Sequence, residues 1–378
     1  MKNPFHVIVK PVGDVCNLNC TYCFYKEKSD EGARMSDETL VNLTKKYIQE
    51  QPKGCKEVQF VWQGGEPMLA GLEFYQRALQ LQDKYRRPDM KITNAIQTNG
   101  TLITNQWADF LHHHQFLVGL SVDGTKVIHD SERLYYSGQG SFDKVLKGYK
   151  KLQERGIQTN ILCVVHPNNV ECGTEIYQFL THKMQVKRLQ FLPVVGDETI
   201  DPTAWGKFLS NVFELWLKKG LGQVSVQLFD TAYARIVNGV ETFCVHAHDC
   251  GNQLVVERNG SVYSCDHYVE PSQYLGCVDQ NSFAEMLTSP AQLSFKRMSA
   301  LHDEVCSGCD VKGLCQSGCP KHRDNDHKNK LCSGYYSFYK HSIPYFYAIA
   351  ECQRRGIALT HYDKFITQIK TSIIQQAG

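Results

Sequence analysis

A segment near the N-terminus reads Val7-Ile-Val-Lys-Pro-Val-Gly-Asp-Val-Cys-Asn-Leu-Asn-Cys-Thr-Tyr-Cys23. Its apolar, β-branched start has the length of a strand, and its end is a loop with three cysteines. A fully ligated iron–sulfur cubane uses four cysteines, so three on one loop leave one iron without a protein ligand. The segment therefore predicts a strand that leads into an open metal site. A structural zinc site is the alternative, although no fourth ligand lies close by in sequence.

Five more apolar runs of strand length follow, and amphipathic helical stretches separate them. The first helix is predicted to begin at Ser36-Asp-Glu-Thr39, and the others are predicted over 71–85, 105–114, 142–156, 170–182 and 202–219. Strands that alternate with helices predict parallel βαβ units with right-handed crossovers. We therefore expect an α/β fold, a partial (β/α)6 TIM-like barrel, over residues 1–230. The six predicted strands are 7–12, 58–63, 92–98, 117–122, 159–165 and 189–195.

Short polar motifs follow the first four predicted strands, where barrel enzymes carry their chemistry. The cysteine loop follows the first strand. Gly64-Gly-Glu-Pro67 follows the second, Gln97-Thr-Asn-Gly100 the third and Ser121-Val-Asp-Gly124 the fourth. Gly64 and Gly65 could form only a tight turn, and Asn99 and Gly100 could be ordinary turn residues.

The chain has 16 cysteines, and nine of them fall between positions 244 and 332. Without a secretion signal, this number favours metal or redox chemistry over disulfides. Residues 231–340 are predicted to form a cysteine-rich domain, which begins with a β-hairpin at Asn259-Gly260. A helical segment is predicted over 341–378.

The formal net charge is +2, and the basic residues are scattered along the chain. We therefore expect no nucleic-acid partner. No run approaches the roughly 18 apolar residues of a membrane span, so we expect no membrane partner and a cytoplasmic location.

The CxxxCxxC loop and the Gly-Gly-Glu-Pro motif resemble the signatures of the radical S-adenosylmethionine (radical SAM) superfamily. The later cysteines resemble its SPASM extension in their spacing. Over nearly the whole chain the resemblance is closest to the anaerobic sulfatase-maturating enzymes. The motifs that carry it are Cys20-Thr-Tyr-Cys-Phe-Tyr25, Trp62-Gln-Gly-Gly-Glu-Pro67, Gln97-Thr-Asn-Gly100 and Cys265-Asp-His-Tyr268.

The resemblance implies three [4Fe–4S] clusters and S-adenosylmethionine as cofactors. It implies that the first cluster is held by Cys16, Cys20 and Cys23. It implies a nearer auxiliary cluster on Cys244, Cys250, Cys265 and Cys319, and a farther one on Cys306, Cys309, Cys315 and Cys332. A pair of four-cysteine zinc sites is the alternative for these eight. The residues implied at the S-adenosylmethionine pocket are Tyr22, Gln63, Gly64, Gly65, Glu66, Asn99, Ser121, Asp123 and Arg133.

The resemblance also implies a reaction, in which a cysteine or serine of a client sulfatase is oxidised to formylglycine. It makes Asp266 the general base, and we expect burial to raise the pKa of this carboxyl. A surface or ligand-supporting role at the end of the hairpin is the alternative for Asp266. Flavodoxin or ferredoxin is the expected electron donor.

The connection between Val195 and Trp205 is shorter than in typical sulfatase maturases. A client other than a sulfatase is therefore an alternative. The second hypothesis is therefore a maturase that crosslinks or epimerises a ribosomal precursor peptide. A zinc-stabilised binding protein without catalysis is the hypothesis from another class.

Overall fold

The computed structural model describes residues 3–26, 34–196, 199–241 and 243–377. In the connection singled out above as short, Asp197 and Glu198 lie outside the described residues. Ten strands occur in the described part of the chain. They are β1 (His6–Val9), β2 (Glu57–Trp62), β3 (Lys91–Thr98), β4 (Leu117–Ser121), β5 (Thr159–Val165), β6 (Arg188–Pro193), β7 (Ser225–Val226), β8 (Gln253–Val256), β9 (Ser261–Tyr263) and β10 (Tyr274–Cys277).

Thirteen α-helices occur in the same described ranges. They are α1 (Asp37–Gln49), α2 (Leu72–Tyr85), α3 (Asn105–His113), α4 (Lys126–Asp130), α5 (Phe142–Glu154), α6 (Gly173–Gln178), α7 (Pro202–Lys219), α8 (Gln227–Asn238), α9 (Phe283–Leu287), α10 (Pro290–Ser299), α11 (Lys312–Cys315), α12 (Cys332–Arg354) and α13 (Asp363–Ala377).

Two compact units make up the chain, and neither is continuous in sequence. The first unit is Met1–Val122, His129–Asn160 and Cys250–Ser299. The second unit is Asp123–Ile128, Ile161–Asp249 and Ala300–Gly378. These units do not follow the predicted boundaries after residues 230 and 340, which remain predictions.

The first unit contains a sheet with the strand order β10-β9-β8-β1-β2-β3-β4. Neighbouring strands are parallel from β8 through β1, β2 and β3 to β4. At the other end of the order, β9 is antiparallel to both β8 and β10. The predicted hairpin at Asn259-Gly260 is confirmed, because β8 and β9 pair across that turn. Strand β8 also adds to the free edge of β1, which explains why residues 250–299 belong to this unit.

Helix α1 of the first unit begins where the sequence predicts. Ser36 caps it by accepting a hydrogen bond from the Thr39 backbone N–H, at 3.0 Å. Acidic residues fill its first turn, where the positive end of the helix dipole favours them. Under the helices, Trp62 is fully buried, and its ring centroid lies 5.5 Å from that of Tyr75.

The second unit contains the parallel strands β5, β6 and β7, with α7 and α12 packed together. Two glycines allow this packing, since a Cβ on Gly206 would lie 3.0 Å from Gly334 backbone atoms. The predicted helix over 170–182 is wrong in part. The chain there forms a 3-10 turn, then α6, then a π-helical turn over Phe179–Lys183.

The predicted C-terminal helix is two helices, α12 and α13. Helix α12 ends at Arg354, and Gly356 then has a φ of +66°. A 3-10 turn over Leu359–His361 precedes α13. None of the described helices combines the length and the apolar composition that a membrane-spanning segment requires.

Candidate functional site

The three cysteines of the first loop lie close together in the first unit. Cys16 and Cys20 are partly buried and Cys23 is exposed. The pKa of the Cys16 thiol is raised to about 12, chiefly by burial, with smaller contributions from Glu66, Cys20 and Cys23 and against one hydrogen bond from the Leu18 N–H. Positively charged iron stabilises the thiolate form of cysteine. A cluster would therefore favour the ionisation of thiols that otherwise disfavour one another's ionisation.

The cysteine loop is fixed on one side by the segment that follows α4. The Asn19 N–H donates to the Leu134 carbonyl at 2.7 Å, and the Thr21 N–H donates to the Glu132 carbonyl at 3.1 Å. The Thr21 hydroxyl also donates to the Glu132 carboxylate. These bonds hold the cysteine loop in place, and Leu18 of the loop also forms an isolated antiparallel bridge with Tyr135.

The Gly-Gly-Glu-Pro turn fixes the loop on the other side. The Gly65 N–H donates to the Gly13 carbonyl at 2.7 Å, and the Glu66 N–H donates to the Val15 carbonyl at 2.8 Å. Gly64 has a φ of +109°, which favours glycine. A Cβ on Gly65 would lie 2.0 Å from the Val15 oxygen. Both glycines are therefore required by geometry, one by its backbone conformation and one by close approach.

Glu66 is fully buried and joins the turn to the end of β3. Its carboxylate accepts hydrogen bonds from the backbone N–H groups of Met68 and Asn99, and from the Thr98 hydroxyl, at 2.8 to 3.0 Å. Burial raises its pKa to about 7 in spite of these three bonds. In this structure the carboxylate holds Asn99 in place, while its direct contact with S-adenosylmethionine remains a prediction.

Asn99 lies beside the cysteine loop, as the sequence predicts for a residue of the same site. Its side-chain amide nitrogen donates to the side-chain oxygen of Asn17 at 2.9 Å and lies 3.7 Å from the Cys16 sulfur. Its side-chain oxygen accepts from the Thr101 backbone N–H and hydroxyl. The structure therefore brings the ends of β1 and β3 together.

Three other predicted pocket residues also lie in the first unit. Ser121 is buried at the end of β4. Arg133 is 7% exposed, and its guanidinium carbon lies 5.4 Å from the centroid of the Tyr22 ring, within the range of a cation–π contact. Arg133 therefore reaches the cysteine loop through Tyr22.

Asp123 belongs to the second unit. It is fully buried, and its carboxylate accepts a hydrogen bond from the Val164 N–H at 2.9 Å. Its observed role is to join the loop before α4 to β5, and its predicted part in the cofactor pocket remains a prediction.

Gln63 and Asp266 are brought together although 203 residues separate them. The Gln63 side-chain amide donates to one Asp266 oxygen at 2.7 Å, and the Cys265 sulfur lies 3.6 Å from the other oxygen. The Gln63 N–H in turn donates to the Val9 carbonyl at 3.0 Å. Asp266 is thus held at the end of β1, close to the cysteine loop.

The expected rise in the pKa of Asp266 is wrong. Burial alone would raise this pKa, but His267, Lys10 and the hydrogen bonds from Gln63 and Cys265 together hold it below its usual value. Lys10 could have been noticed as a lysine at the end of an apolar strand. Its electrostatic effect on Asp266, a residue far away in sequence, carries no local signal.

The four cysteines of the predicted farther cluster lie together in the second unit. Burial raises the pKa of the Cys315 thiol to about 12, with further effects from Cys332, Cys306 and Cys309. This set fits a cluster site, since four thiols from one loop region and the start of α12 act on each other.

Arg323 stabilises the turn between Cys315 and Cys319, a role that no sequence motif indicates. Its guanidinium donates to the Ser317 carbonyl at 3.2 Å and to the Gly318 carbonyl at 2.7 Å. It also donates to the Leu301 carbonyl at 2.6 Å.

The four cysteines of the predicted nearer cluster are divided between the two units. Cys250 and Cys265 belong to the first unit, and Cys244 and Cys319 belong to the second. Their assignment to one cluster remains a prediction. Among the described residues, no three His, Cys, Asp or Glu side chains form a group that could hold a single metal ion.

Comparisons with known proteins identify the family. Residues 11–180 match the model of the Radical SAM superfamily, and residues 244–310 match SPASM, an iron-sulfur cluster-binding domain. The chain is 36% identical to a serine-type anaerobic sulfatase-maturating enzyme of Klebsiella aerogenes, over 89% of this chain and 84% of the relative. The chain belongs to the anaerobic sulfatase-maturating enzyme family. It is therefore a radical SAM enzyme, as its motifs predict.

Two further relatives agree with this membership. A cysteine-type anaerobic sulfatase-maturating enzyme of Clostridium perfringens (strain 13 / Type A) is also 36% identical, over 90% of this chain and 97% of the relative. The solved structure of native anSMEcpe with bound AdoMet and Cp18Cys peptide is 34% identical, with a TM-score of 0.86, and covers 92% of this chain and 99% of that chain. The predicted α/β fold with a SPASM domain is confirmed, and the membership decides against the zinc-binding protein without catalysis.

Proposed function

We propose that this enzyme oxidises a cysteine or serine side chain of a client sulfatase to formylglycine. The cofactors of this reaction are S-adenosylmethionine and three [4Fe–4S] clusters. Flavodoxin or ferredoxin is the proposed electron donor. The proposal rests on the family membership and on one observation above all. The Gln63 side-chain amide donates to the Asp266 carboxylate at 2.7 Å, which supports a proposed base next to the residue that precedes the Gly-Gly-Glu-Pro turn.

The residues of the first unit fit the cofactors that the family implies. Cys16, Cys20 and Cys23 would hold a cluster with one iron free of protein ligands. When bound, this cluster and S-adenosylmethionine supply a 5′-deoxyadenosyl radical, which takes a hydrogen atom from a substrate. Gly64 and Gly65 let the turn pack closely against the cysteine loop, and Asn99 lies beside Cys16.

Asp266 would accept the proton of the client's thiol or hydroxyl. Because its pKa lies below the usual value, the carboxylate is ionised at neutral pH and can take up a proton. For a cysteine client, the side chain would lose a hydrogen atom to the 5′-deoxyadenosyl radical, a proton to Asp266 and an electron to an oxidised auxiliary cluster, which leaves a carbon–sulfur double bond. Water then replaces sulfur, and hydrogen sulfide leaves as the aldehyde forms.

Turnover of matched client peptides under anaerobic conditions tests the proposal. Two peptides that differ only in a cysteine or serine at the target position are incubated with the cluster-loaded enzyme, a reductant and S-adenosylmethionine. Formylglycine formation should lower the mass of the cysteine peptide by about 18 Da, from simple atom counting. An enzyme that cleaves S-adenosylmethionine with these peptides but leaves their mass unchanged would contradict the proposed client.

Asp266→Asn tests the proposed base, with the variant lacking Cys16, Cys20 and Cys23 as the comparison. Asp266→Asn should still form 5′-deoxyadenosine but lose product by about 10²- to 10⁴-fold, the usual contribution of a general base. The cysteine variant should form neither compound. An unchanged yield of formylglycine from Asp266→Asn would remove the assignment.

A maturase of a ribosomal precursor peptide is the second candidate, and the short connection between Val195 and Trp205 favours it. It would give a loss of about 2 Da for a crosslink, by simple atom counting, or no mass change for an epimer. The same mass spectra, taken with precursor peptides, distinguish this candidate from formylglycine formation.

A further inference from the structure

The chain between Cys315 and Cys319 forms a left-handed turn of three residues. Its φ angles are +47° at Gln316, +59° at Ser317 and +61° at Gly318. Glycine adopts this conformation readily, whereas a residue with a Cβ does so at a cost in free energy. A strained segment of this kind persists only where its surroundings hold it in place.

One side of the left-handed turn is held by Arg323. Its guanidinium donates to the carbonyls of Gln316, at 3.4 Å, and of Ser317, at 3.2 Å. Because the C=O and N–H of a trans peptide point in opposite directions, the N–H groups of Ser317 and Gly318 point away from Arg323. They point back to Cys315, whose sulfur accepts from Ser317 and whose carbonyl oxygen accepts from Gly318 at 3.0 Å. The positive ends of two peptide dipoles therefore face Cys315, an arrangement found at many iron–sulfur sites.

His246 holds the other side of the left-handed turn. It is 3% exposed, and its Nδ1 lies 3.0 Å from the Cys315 carbonyl oxygen. A carbonyl oxygen can only accept, so Nδ1 carries a proton whether the ring is neutral or charged. Two rings of α12 pack against the imidazole, with centroids 5.5 Å away for Tyr335 and 6.2 Å away for Tyr339. Packing thus fixes the direction of this donor.

The backbone of His246 is also anchored within the second unit. Its carbonyl accepts from the Arg235 guanidinium at 2.9 Å, and Arg235 forms an ion pair with Glu241 at 3.1 Å. A 3-10 turn over Cys244–His246 joins the histidine to another proposed cluster ligand. His246 therefore links the segment of Cys244 to the left-handed turn.

Loss of the His246 donor would free one side of the peptide that joins Cys315 to Gln316. Gln316 and Ser317 could then relax to negative φ, which relieves their strain and turns the two N–H groups away from Cys315. Hydrogen bonds to the sulfurs are among the factors that set the reduction potential of an iron–sulfur cluster. Donors of this kind favour the reduced cluster, which is the more negative form, so their loss lowers the potential.

We propose that His246 is a positioning residue, which keeps the left-handed turn in its conformation and thereby raises the reduction potential of the farther auxiliary cluster. This potential decides how readily the cluster accepts an electron that the client loses. The inference rests on the proposed function, which includes this cluster. His246 itself neither binds iron nor carries the electron.

The reduction potentials of the two auxiliary clusters test this role. They are measured in a parent protein whose Cys16, Cys20 and Cys23 are replaced by Ala, so that the first cluster does not contribute. Cys309→Ala removes a ligand of the farther cluster alone and identifies its titration step. His246→Phe keeps an aromatic ring and removes the donor. At a fixed applied potential, it should lower the ratio of reduced to oxidised farther cluster about tenfold, which for one electron is about 59 mV.

Two matched variants separate the hydrogen bond from the packing. His246→Asn keeps a side-chain N–H near the position of Nδ1, so the same ratio should stay within about twofold of the parent. His248→Phe alters an exposed histidine of the same loop and should change neither potential. An unchanged ratio in iron-loaded His246→Phe would overturn the proposal. Equal falls in His246→Phe and His246→Asn would also overturn it, because packing would then be the cause.

A double variant keeps the test decisive if His246→Phe loses iron. Ser317→Gly lowers the cost of a positive φ, so its combination with His246→Phe should keep the left-handed turn without the histidine donor. This protein should hold as much iron as the parent, with a ratio of reduced to oxidised farther cluster within about twofold of it. A double variant that lacks the cluster, or whose ratio stays about tenfold lower, would overturn the proposal.

The two proposals fail separately, because the potentials are measured without a client. If the potentials follow these expectations but no client peptide gains formylglycine, the proposed client is wrong and the role of His246 stands. If formylglycine forms and iron-loaded His246→Phe has the potentials of the parent, only the role of His246 fails.

Discussion

Gly65→Ala should damage the cysteine loop more than any other one-carbon change at the Gly-Gly-Glu-Pro turn. The new methyl carbon would lie 2.0 Å from the Val15 oxygen and 2.5 Å from the Val15 carbonyl carbon. These neighbours are backbone atoms, which cannot rotate away as a side chain would. The turn and the loop must therefore separate by about 1 Å or more to restore ordinary contact distances.

The energetic cost follows from the bonds that this separation stretches. The Gly65 N–H bond to Gly13 and the Glu66 N–H bond to Val15, at 2.7 and 2.8 Å, would both be lost or weakened. A buried donor left without a partner costs about 1 to 3 kcal/mol, so losing both bonds should make the variant less stable by about 2 to 6 kcal/mol. Because Cys16 follows Val15, a displacement of about 1 Å should also slow S-adenosylmethionine cleavage by about 100-fold.

The assay measures 5′-deoxyadenosine formation, iron content and thermal midpoint for the unchanged enzyme and the variant. Gly54→Ala is the matched control, since nothing lies within 4 Å of the Cβ it would add. The control should behave as the unchanged enzyme. If Gly65→Ala cleaves S-adenosylmethionine within twofold of the control at the same thermal midpoint, the close approach to Val15 does not shape the site.

Two further predictions concern Glu66 and Arg323. Because burial raises the Glu66 pKa from 4.5 to about 7, the folded state holds a proton that the unfolded state has released, so stability should fall as pH rises through this window. The free energy of unfolding should fall by about 3 kcal/mol in the unchanged enzyme, and this fall should be absent from Glu66→Gln. Thermal midpoints at pH 5 and pH 8 measure it, and an equal fall in both proteins would contradict the prediction. Arg323→Met should lower the iron content by about one cluster, or four atoms, because the turn before Cys319 loses its support. Arg354→Met, at an exposed arginine, is its control, and full iron in both variants would count against that role.

Most of the local structure could be predicted from the sequence, because its signals are local. The strand before Cys16, the hairpin at Asn259-Gly260 and the helix Pro202–Lys219 all appear in the structure. Asp201 and Pro202 show why, since one caps the helix and the other occupies its first turn. The glycines of the second motif are likewise explained by one backbone angle and one close contact.

The electrostatics of the site could not be predicted in the same way. The pKa of Asp266 depends on Lys10 and Gln63, which come from the far end of the chain and arrive by strand pairing. Burial alone suggests a raised pKa, and only the charges and donors around the group reverse the direction. The role of Arg323 is equally hidden, because its partners are backbone carbonyls, which no residue type reveals.

The pairing of β1 with β8 has a consequence for how the chain matures during synthesis. His6–Val9 leaves the ribosome first, but its partner Gln253–Val256 is made roughly 250 residues later, a separation that slows folding. Until then one edge of the N-terminal strand stays open to other chains, and the carboxylate of Asp266 has not yet been made. A nascent chain could acquire iron at its first loop before it can perform any oxidation, so the radical chemistry starts only when nearly three quarters of the polypeptide has emerged.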